Sequence, residues 1–358
     1  MSASGFLKRL LGRGASDDGG LGDSDTVPTT QPMPRSAGVA LDNYDISEEV
    51  GRGAMAVVHR AVDQRSGRVV AIKRLALQRE FAPEDLIDVR DRFMREASAA
   101  RHLDHPDILR VLDAGESGGD TWIAMEYVVG QDLSHHTRPG QLLPLREVLL
   151  LGARLGRALQ YAHGHGVVHR DIKPANVMLE RATGSVKIMD FGIARVADGS
   201  RTRTGLVLGT PSYMSPEQLA GLQVDGRSDL YSLGAMLFQL MTGQLPHQSE
   251  SMATLMHQIM NQPAPDLRLL RPELPESLAL VVALALEKRP ELRYQRGDLL
   301  AQDLEAVLSQ IPVALANSTG TTPPPPPPAG QAFEQTLRLQ SQGAVHNPLP
   351  PADPASKT

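Results

Sequence analysis

The sequence predicts an α+β fold in which a small strand-rich part precedes a larger helical part. Between Tyr44 and Lys73, short β-branched runs alternate with glycines, which is typical of strands joined by tight turns. From Pro144 onwards, apolar residues recur at three- and four-residue intervals, which is typical of amphipathic helices. With 41% hydrophobic residues, the chain can bury a sizeable core.

The two ends of the chain differ from this central part. Residues 1–43 are rich in Gly, Ser, Asp, Thr and Pro, and residues 312–358 contain consecutive prolines from Pro323 to Pro328. Such compositions bury too little apolar surface to order themselves, and proline runs favour an extended helix without a core. We therefore expect disordered tails at 1–43 and 312–358 around one domain at 44–311.

Composition narrows the classes of function. The chain has no Cys, which excludes disulfides, thiolate metal sites and Cys nucleophiles. A formal net charge of -5 argues against nucleic acid as a partner. No apolar stretch approaches the roughly 18 residues that a transmembrane segment needs. A soluble, cytoplasmic protein is the expectation.

Two glycines interrupt the first strand signals at a place suited to phosphate. Gly51 and Gly53 separate the run that ends at Val50 from the run that contains Val58. Because glycine has no Cβ, backbone N–H groups in such a turn can close over a phosphate group. No Gly-Lys-Ser/Thr follows, so the turn is not a Walker loop, and an ordinary tight hairpin is the alternative.

Several later segments carry helical periodicity. The first, at 83–103, carries Glu96 among its polar positions, and the second, at 144–166, leads into the stretch discussed next. A further helix opens at 228–234. The remaining helical patterns lie at 251–261, 276–287 and 296–309.

The stretch 169–192 has the residues of a phosphoryl-transfer centre. Apolar runs at 177–179 and 186–189 flank a turn, which predicts two paired strands. This hairpin would bring Asn176 and Asp190 together beside Asp171. Amide and carboxylate oxygens suit Mg²⁺, which usually shares its ligands with waters and substrate phosphates.

Two motifs in this stretch carry a resemblance. His-Arg-Asp-x-x-x-x-Asn from His169 and Asp-Phe-Gly from Asp190 resemble loops of eukaryotic-type (Hanks-type) protein kinases. Lys173 lies where tyrosine kinases usually differ, so the chain resembles the serine/threonine class, and its bacterial members most. The resemblance implies a bilobal protein-kinase-like fold. Its small β-rich N-lobe, with one key helix, would span about 44–127, and its larger, mainly helical C-lobe about 130–311.

The resemblance also implies roles for the catalytic residues. Asp171 would accept the proton of the substrate hydroxyl, and Lys173 would steady the transferring γ-phosphate. Asn176 and Asp190 would hold Mg²⁺, for which Mn²⁺ is a possible substitute. ATP would bind between the lobes.

The nucleotide contacts follow from the same resemblance. Lys73 would grip the α- and β-phosphates while paired with Glu96. Glu126 and Val128 would meet the adenine edge through a backbone carbonyl and N–H, with Met125 as gatekeeper. The remaining expected ATP-binding residues are Val50, Gly51, Gly53, Val58, Ala71 and Met178. Ala56 occupies the family's third Gly position, so the loop should be slightly stiffer.

Residues 194–217 resemble a kinase activation segment. Thr202 and Thr204 occupy positions where similar bacterial kinases are autophosphorylated, and Arg170 would sense the phosphate. The segment ends at Ser-Pro-Glu instead of the family's Ala-Pro-Glu. Its Glu217 would pair with Arg293, and the Asp of the 228–234 segment, Asp229, would brace the catalytic-loop backbone.

The resulting prediction is a serine/threonine protein kinase that transfers the γ-phosphate of MgATP to proteins, including its own activation loop. Protein substrates are the expected partners, with phosphothreonine-binding partners recruited through the tails. A pseudokinase scaffold and a small-molecule phosphotransferase of related fold are the alternatives. The full set of catalytic residues argues against the first, and the activation segment argues against the second.

Overall fold

The N-terminal part is an antiparallel sheet with strand order β1-β2-β3-β5-β4. The computed structural model describes residues 41–53, 56–77, 81, 85–191 and 211–319. Within the sheet, Gly115 faces the Trp122 ring, and a Cβ there would lie only 2.7 Å from it, so a larger residue does not fit. The strands are β1 (Tyr44–Arg52), β2 (Ala56–Asp63), β3 (Val69–Leu75), β4 (Val111–Ser117) and β5 (Asp120–Glu126).

One long helix, α1 (Leu86–Arg101), packs against this sheet. Its buried side chains are Val89, Phe93, Ala97 and Ala100, at the three- and four-residue spacing that the sequence shows. Val89, Phe93 and Ala97 form one core cluster with side chains that include Leu75 and Ile123 of the sheet. The expected N-lobe, a sheet with one key helix, is therefore confirmed.

A second, small sheet joins the two lobes. Strand β6 (Gln131–Asp132) pairs with β7 (Val177–Glu180), and β7 pairs with β8 (Ser185–Ile188). The segment before β4 continues this sheet: the Leu109 N–H donates to the Ile188 carbonyl over 2.8 Å, and the Ile188 N–H donates to the Asp107 carbonyl over 2.8 Å. The N-lobe is thereby hydrogen-bonded to the strand that precedes Asp190.

The C-lobe is built of helices around α4 (Gly226–Thr242), which is buried along almost its whole length. Helices α2 (Leu145–Gly164) and α7 (Gly297–Gln310) approach so closely that a Cβ on Gly297 would lie 2.1 Å from the Gly156 carbonyl oxygen. The helices are α2 (Leu145–Gly164), α3 (Pro216–Leu219), α4 (Gly226–Thr242), α5 (Met252–Asn261), α6 (Glu276–Ala285), α7 (Gly297–Gln310) and α8 (Val313–Ala316).

The packed structure continues beyond the expected domain end at 311. Pro312 is the N-cap of α8, and the buried Ala316 packs into the C-lobe core. Two hydrogen bonds hold the segment that follows: Arg271 Nη2 donates to Ser318 Oγ over 3.1 Å, and the Leu145 N–H donates to the Ser318 carbonyl over 3.0 Å. Residues 312–318 therefore belong to the folded domain and not to a tail.

In the part of the chain that the structure describes, no helix combines the length and apolar character needed to cross a membrane.

Candidate functional site

The catalytic loop is held by a buried carboxylate from α4. Asp229 is 0% exposed and accepts hydrogen bonds from the backbone N–H groups of His169, over 2.8 Å, and Arg170, over 2.6 Å. His163 contacts the same carboxylate through Nε2 over 2.8 Å. The predicted bracing role of Asp229 is confirmed.

His169 supports the loop from inside. Its ring is fully buried, and Nδ1 accepts the N–H of Asp171 over 3.2 Å. The proton therefore resides on Nε2, which donates to the Met189 carbonyl over 2.7 Å. One imidazole thus links the backbone at Asp171 to the residue that precedes Asp190.

Two side chains orient the carboxylate of Asp171. Lys173 Nζ donates to Asp171 Oδ2 over 2.7 Å, and Asn176 Nδ2 donates to the same oxygen over 2.9 Å. Among the described residues, Oδ1 makes no hydrogen bond, so it is the oxygen that can accept a substrate proton.

The Asn176 amide has a fixed orientation. Its Nδ2 also donates to the Asp171 carbonyl over 2.7 Å, and both of its partners are oxygens that only accept. The amide oxygen, Oδ1, therefore points away from Asp171. The Met189 N–H donates to the Asn176 carbonyl over 2.9 Å, so the β7–β8 hairpin brings Asn176 beside Asp190, as predicted.

Asp190 is held in an unusual backbone conformation. Its φ is 62°, in the left-handed region that costs a residue with a Cβ about 1–3 kcal/mol. Lys73 Nζ donates to Asp190 Oδ1 over 2.7 Å. Burial opposes ionisation of this carboxyl, but the charge and hydrogen bond of Lys73 outweigh burial, so the pKa of Asp190 lies below its ordinary value.

The donor set at this point fits Mg²⁺. Asn176 has an amide oxygen and Asp190 a carboxylate, and both are of the hard oxygen type that Mg²⁺ prefers. Within the described residues no group of three or more His, Asp or Glu side chains is placed to hold a metal ion. Two protein oxygens completed by phosphates and waters is the arrangement that Mg²⁺ commonly adopts.

An apolar wall lies above this polar centre. Ala71, Leu109 and Met125 form a buried cluster, and Val58 and Val128 pack against it. Glu126, between Met125 and Val128, is anchored through its side chain: Oε1 accepts the Arg110 N–H over 2.8 Å and pairs with Lys187 over 2.7 Å. The wall brings together four of the residues expected at the adenine site, namely Val58, Ala71, Met125 and Val128.

Gly51 and Gly53, at the end of β1, have no close contact at their Cβ positions among the described residues. The Gly53 N–H donates to the Ala56 carbonyl over 2.8 Å, which closes the turn. A Cβ on Gly51 or Gly53 would meet its nearest described neighbour at 3.9 or 3.8 Å, an ordinary contact. The described residues do not themselves require glycine there, which fits a backbone kept bare for phosphate.

The structure places the predicted site residues as follows. Lys73 and Asp190 line one cavity together with Ala97 and Ala100 of α1, so the helix face that carries Glu96 lies beside them. The Lys73–Glu96 pair itself stays a prediction. Val50 lies on β1, Met178 on β7 and Arg170 in the catalytic loop; Thr202 and Thr204 fall outside the described residues.

A buried ion pair anchors the end of the activation segment. Arg293 donates to both Glu217 oxygens, each over 2.6 Å, and Ser228 Oγ donates to Glu217 Oε1 over 2.5 Å. Glu217 and Arg293 are only 6% and 3% exposed. Burial opposes ionisation, but the bonds from Arg293 and Ser228 outweigh it and hold the pKa of Glu217 below its ordinary value. The predicted pair is confirmed.

Three residues of the site are not among those predicted from the sequence. Met189 packs against the apolar wall, and its position directly before Asp190 was the available signal. Arg154 of α2 donates to the Asp107 carboxylate and to the Gly184 carbonyl, which ties the two lobes together. Gln218, directly after Glu217, donates to the Arg170 carbonyl. The last two contacts have no signal in a single sequence.

Comparison with known families matches most of the folded region. The family model described as "Protein kinase domain" matches residues 44–304. A solved structure, Rad53 1-466 in complex with AMP-PNP, is similar in fold with a TM-score of 0.60 and 24% identity. The similar region covers 73% of this chain and 64% of the Rad53 chain.

Curated relatives carry kinase names. A probable serine/threonine-protein kinase of Streptomyces coelicolor is 39% identical over 307 residues, which cover 84% of this chain and 45% of the relative. The DNA damage-responsive serine/threonine-protein kinase RqkA of Deinococcus radiodurans is 39% identical, with 75% of this chain and 40% of the relative covered. PknB of Mycobacterium leprae is 40% identical, with 76% and 44% covered.

The chain spans less than half the length of these relatives. The region matched by the family model includes both lobes, the catalytic loop and the Glu217–Arg293 pair. On the family match over 44–304 and the convergence of Asp171, Asn176 and Asp190, the chain belongs to the protein kinase family.

Proposed function

We propose that this protein transfers the γ-phosphoryl group of ATP to serine and threonine hydroxyls of proteins, with Mg²⁺ as cofactor. The observation that best supports this proposal is that four residues lie close together at one end of the β7–β8 hairpin: Lys73, Asp171, Asn176 and Asp190. The serine/threonine kinase names of the relatives support the same activity. A cytoplasmic location is part of the proposal, because ATP is the phosphate donor.

The reaction assigned to these residues is a single displacement of ADP at the γ-phosphorus of ATP. The substrate hydroxyl oxygen forms a bond to the γ-phosphorus, the bond from the γ-phosphorus to the β–γ bridging oxygen breaks, and ADP leaves. Asp171 Oδ1 receives the hydroxyl proton. Lys173, whose Nζ lies 2.7 Å from Asp171 Oδ2, places a positive charge beside the transferring group.

Asn176 Oδ1 and Asp190 are the proposed Mg²⁺ ligands; when bound, the ion neutralises charge on the β- and γ-phosphates. Lys73 grips the α- and β-phosphates in the proposal and pairs with Glu96. The other proposed nucleotide contacts are Val50, Gly51, Gly53, Val58, Ala71, Glu126, Val128 and Met178.

A peptide mixture tests the substrate class. Purified protein is incubated with radiolabelled ATP, Mg²⁺ and three peptide pools that differ only in a central Ser, Thr or Tyr. The proposal expects label in the Ser and Thr pools. Label in the Tyr pool alone, or release of phosphate to water with no labelled peptide, contradicts it. Label on a small-molecule alcohol but on no peptide supports a small-molecule phosphotransferase instead.

Lys73→Met should impair ATP use far more than folding. A charge-assisted hydrogen bond is worth about 1.5–3 kcal/mol, so kcat/KM for ATP should fall roughly 10- to 150-fold. The measurement is steady-state kinetics with ATP varied, alongside thermal unfolding. Arg157→Met is the control, because it removes the Arg157–Glu305 ion pair, of 2.6 Å, from the surface between α2 and α7. Near-normal ATP kinetics in the Lys73 variant would point to another phosphate grip.

Phosphorylation of Thr202 and Thr204 is the proposed means of activation. Each phosphate adds about -1.5 to -2 charge, which Arg170 can pair bidentately to favour an ordered segment. The double change to Ala should lower activity on a protein substrate while ATP binding persists, and Arg170→Ala should reproduce most of the loss. A double variant as active as wild type would place control elsewhere. We further propose that phosphothreonines in the tails recruit phosphothreonine-binding partners.

A further inference from the structure

Asp171, the proposed catalytic base, is joined by a peptide unit to Arg170, and the backbone of Arg170 is strained. Arg170 has a φ of 69°, in the left-handed region that a residue with a Cβ rarely adopts. Such a conformation persists only where its surroundings hold it in place. Asp229 fixes the N–H of Arg170, over 2.6 Å, but this leaves the carbonyl end of the residue to be held by something else.

Gln218 is the group that holds this carbonyl. Its side-chain Nε2 donates to the Arg170 carbonyl oxygen over 2.7 Å. The N–H on the other side of the same peptide plane, that of Asp171, donates to His169 Nδ1 over 3.2 Å. With both ends bonded, the plane cannot rotate, and the direction in which Asp171 projects its carboxylate is fixed.

Gln218 is itself held rigidly. It is the third residue of α3, and its Oε1 accepts from the N–H of Ser215, over 3.0 Å, and from Ser215 Oγ, over 3.1 Å. Ser215 Oγ accepts the N–H of Gln218 in return, so the two form a reciprocal capping box. The neighbouring Glu217 is locked to Arg293. The amide is therefore presented from a fixed point of the C-lobe.

The two ends of the Gln218 amide have separate tasks. A capping box accepts Glu as well as Gln at this position, because only the oxygen takes part in it. The bond to Arg170 needs a donor, which a carboxylate lacks. The helix cap alone thus does not require glutamine, whereas the contact with the catalytic loop does.

We propose that Gln218 is a positioning residue for phosphoryl transfer, which acts through the Arg170 carbonyl to orient Asp171. It couples the end of the activation segment, where a substrate peptide would bind, to the base. This inference rests on the proposed kinase function. It adds to that function a residue that acts on the base through the backbone of the catalytic loop.

Two variants test the proposal in the full chain. Gln218→Glu keeps the oxygen of the capping box and loses the donor, and Gln218→Met removes both polar groups without adding charge. Each should lower kcat on a Ser or Thr peptide roughly tenfold, the usual effect of leaving one carbonyl without its donor. KM for ATP should stay close to wild type, because the nucleotide site is not altered. Both variants should remain folded at the assay temperature, since the Glu217–Arg293 pair is kept, and thermal unfolding checks this.

Gln239→Glu is the matched control. Gln239 lies on α4 and uses its Oε1 to accept the hydroxyl of Tyr213, a bond that a carboxylate retains. It makes the same change of side chain and adds the same charge to the same lobe. Its kcat should stay within about twofold of wild type, as expected when a hydrogen bond is kept.

A pH series separates positioning from a merely structural role. A protonated carboxyl has an O–H that can donate to the Arg170 carbonyl. The kcat of Gln218→Glu relative to wild type should therefore rise as the pH falls from 8 to 5, towards the ordinary glutamate pKa of about 4.3, while the ratio for Gln218→Met stays flat. Unchanged kcat in both Gln218 variants overturns the proposal, as does a loss that appears equally in Gln239→Glu. If wild type itself transfers no phosphate to peptide, the proposed function fails first, and this inference fails with it.

Discussion

Asp171→Asn should abolish phosphate transfer while the protein stays folded. General-base catalysis contributes about 10²- to 10⁴-fold to a rate, and kcat on a Ser or Thr peptide should fall by at least that much. An asparagine oxygen can still accept the hydrogen bonds from Lys173 and Asn176, so the loop keeps its shape. Only the basicity and charge of the carboxylate are lost.

The measurements are peptide phosphorylation, binding of MgADP and thermal unfolding of the same preparation. We expect nucleotide binding and the unfolding midpoint to stay close to wild type. Asp303→Asn is the matched control, because Asp303 accepts the Tyr294 hydroxyl over 2.8 Å on α7 and an amide oxygen still accepts it. A variant at Asp171 that retains a tenth of the wild-type kcat would remove this residue from the role of base.

Arg293→Met should lower the free energy of unfolding more than any other single substitution proposed for this protein. Removing one partner of a buried ion pair typically costs about 3–5 kcal/mol, because the other charge stays buried without compensation. Arg293 also donates to the backbone carbonyls of Glu287, over 2.5 Å, and Lys288, over 2.8 Å, which would lose those donors. Denaturant unfolding at pH 7 measures the change.

The double variant Glu217→Gln/Arg293→Met separates the two causes. It has no uncompensated charge at this position, so it should be more stable than Arg293→Met alone. Equal stability of the single and double variants would show that the lost carbonyl bonds, and not the stranded carboxylate, dominate the effect.

The effect of Arg293→Met should also depend on pH. In wild type the pKa of Glu217 lies below its ordinary value, so the ion pair stabilises the fold above the unfolded pKa, about 4.3, and that stability is lost as the pH falls through the folded pKa. Without Arg293, burial raises the pKa of Glu217. As the pH falls, the Glu217 carboxylate of the variant is then protonated, which removes the uncompensated buried charge and restores part of the stability. The gap in unfolding free energy should therefore narrow between pH 7 and pH 5; a constant gap would contradict the assigned charge.

Much of the site could be predicted because its contacts are local or follow from motif order. The register of the β7–β8 hairpin places Met189 opposite Asn176, and Asp190 is the next residue along the chain. The Glu217–Arg293 pair and the bracing role of Asp229 follow from positions that the family motifs fix, and both are confirmed. The predicted helices begin within a few residues of their predicted starts, since apolar spacing indicates which face is buried.

Other contacts depend on how distant elements approach one another. Lys73 and Asp190 are 117 positions apart, and only the packed fold shows that Lys73 Nζ lies 2.7 Å from the carboxylate. The Gln218–Arg170 bond is similar, because it needs both the capped helix α3 and the positive φ of Arg170. No periodicity or composition encodes such a meeting.

The predicted end of the domain at 311 is wrong for a different reason. Pro312 comes three residues after the last helical pattern, which ends at 309, and the prolines further along favoured an end of the fold near 311. Proline is equally suited to the start of a helix, where no backbone donor is required. Pro312 caps α8 in this way, and Ser318 is bonded to Arg271 and Leu145.

The most direct test of the central claim is a phosphosite map of the full chain after incubation with MgATP, made by mass spectrometry for wild type and for Asp171→Asn. Wild type should gain phosphate on serine and threonine, with Thr202 or Thr204 among the modified residues, and the Asp171 variant should gain none. An unmodified wild type that also fails to label any Ser or Thr peptide, or equal phosphorylation of the two proteins, would contradict a kinase that uses Asp171 as its base.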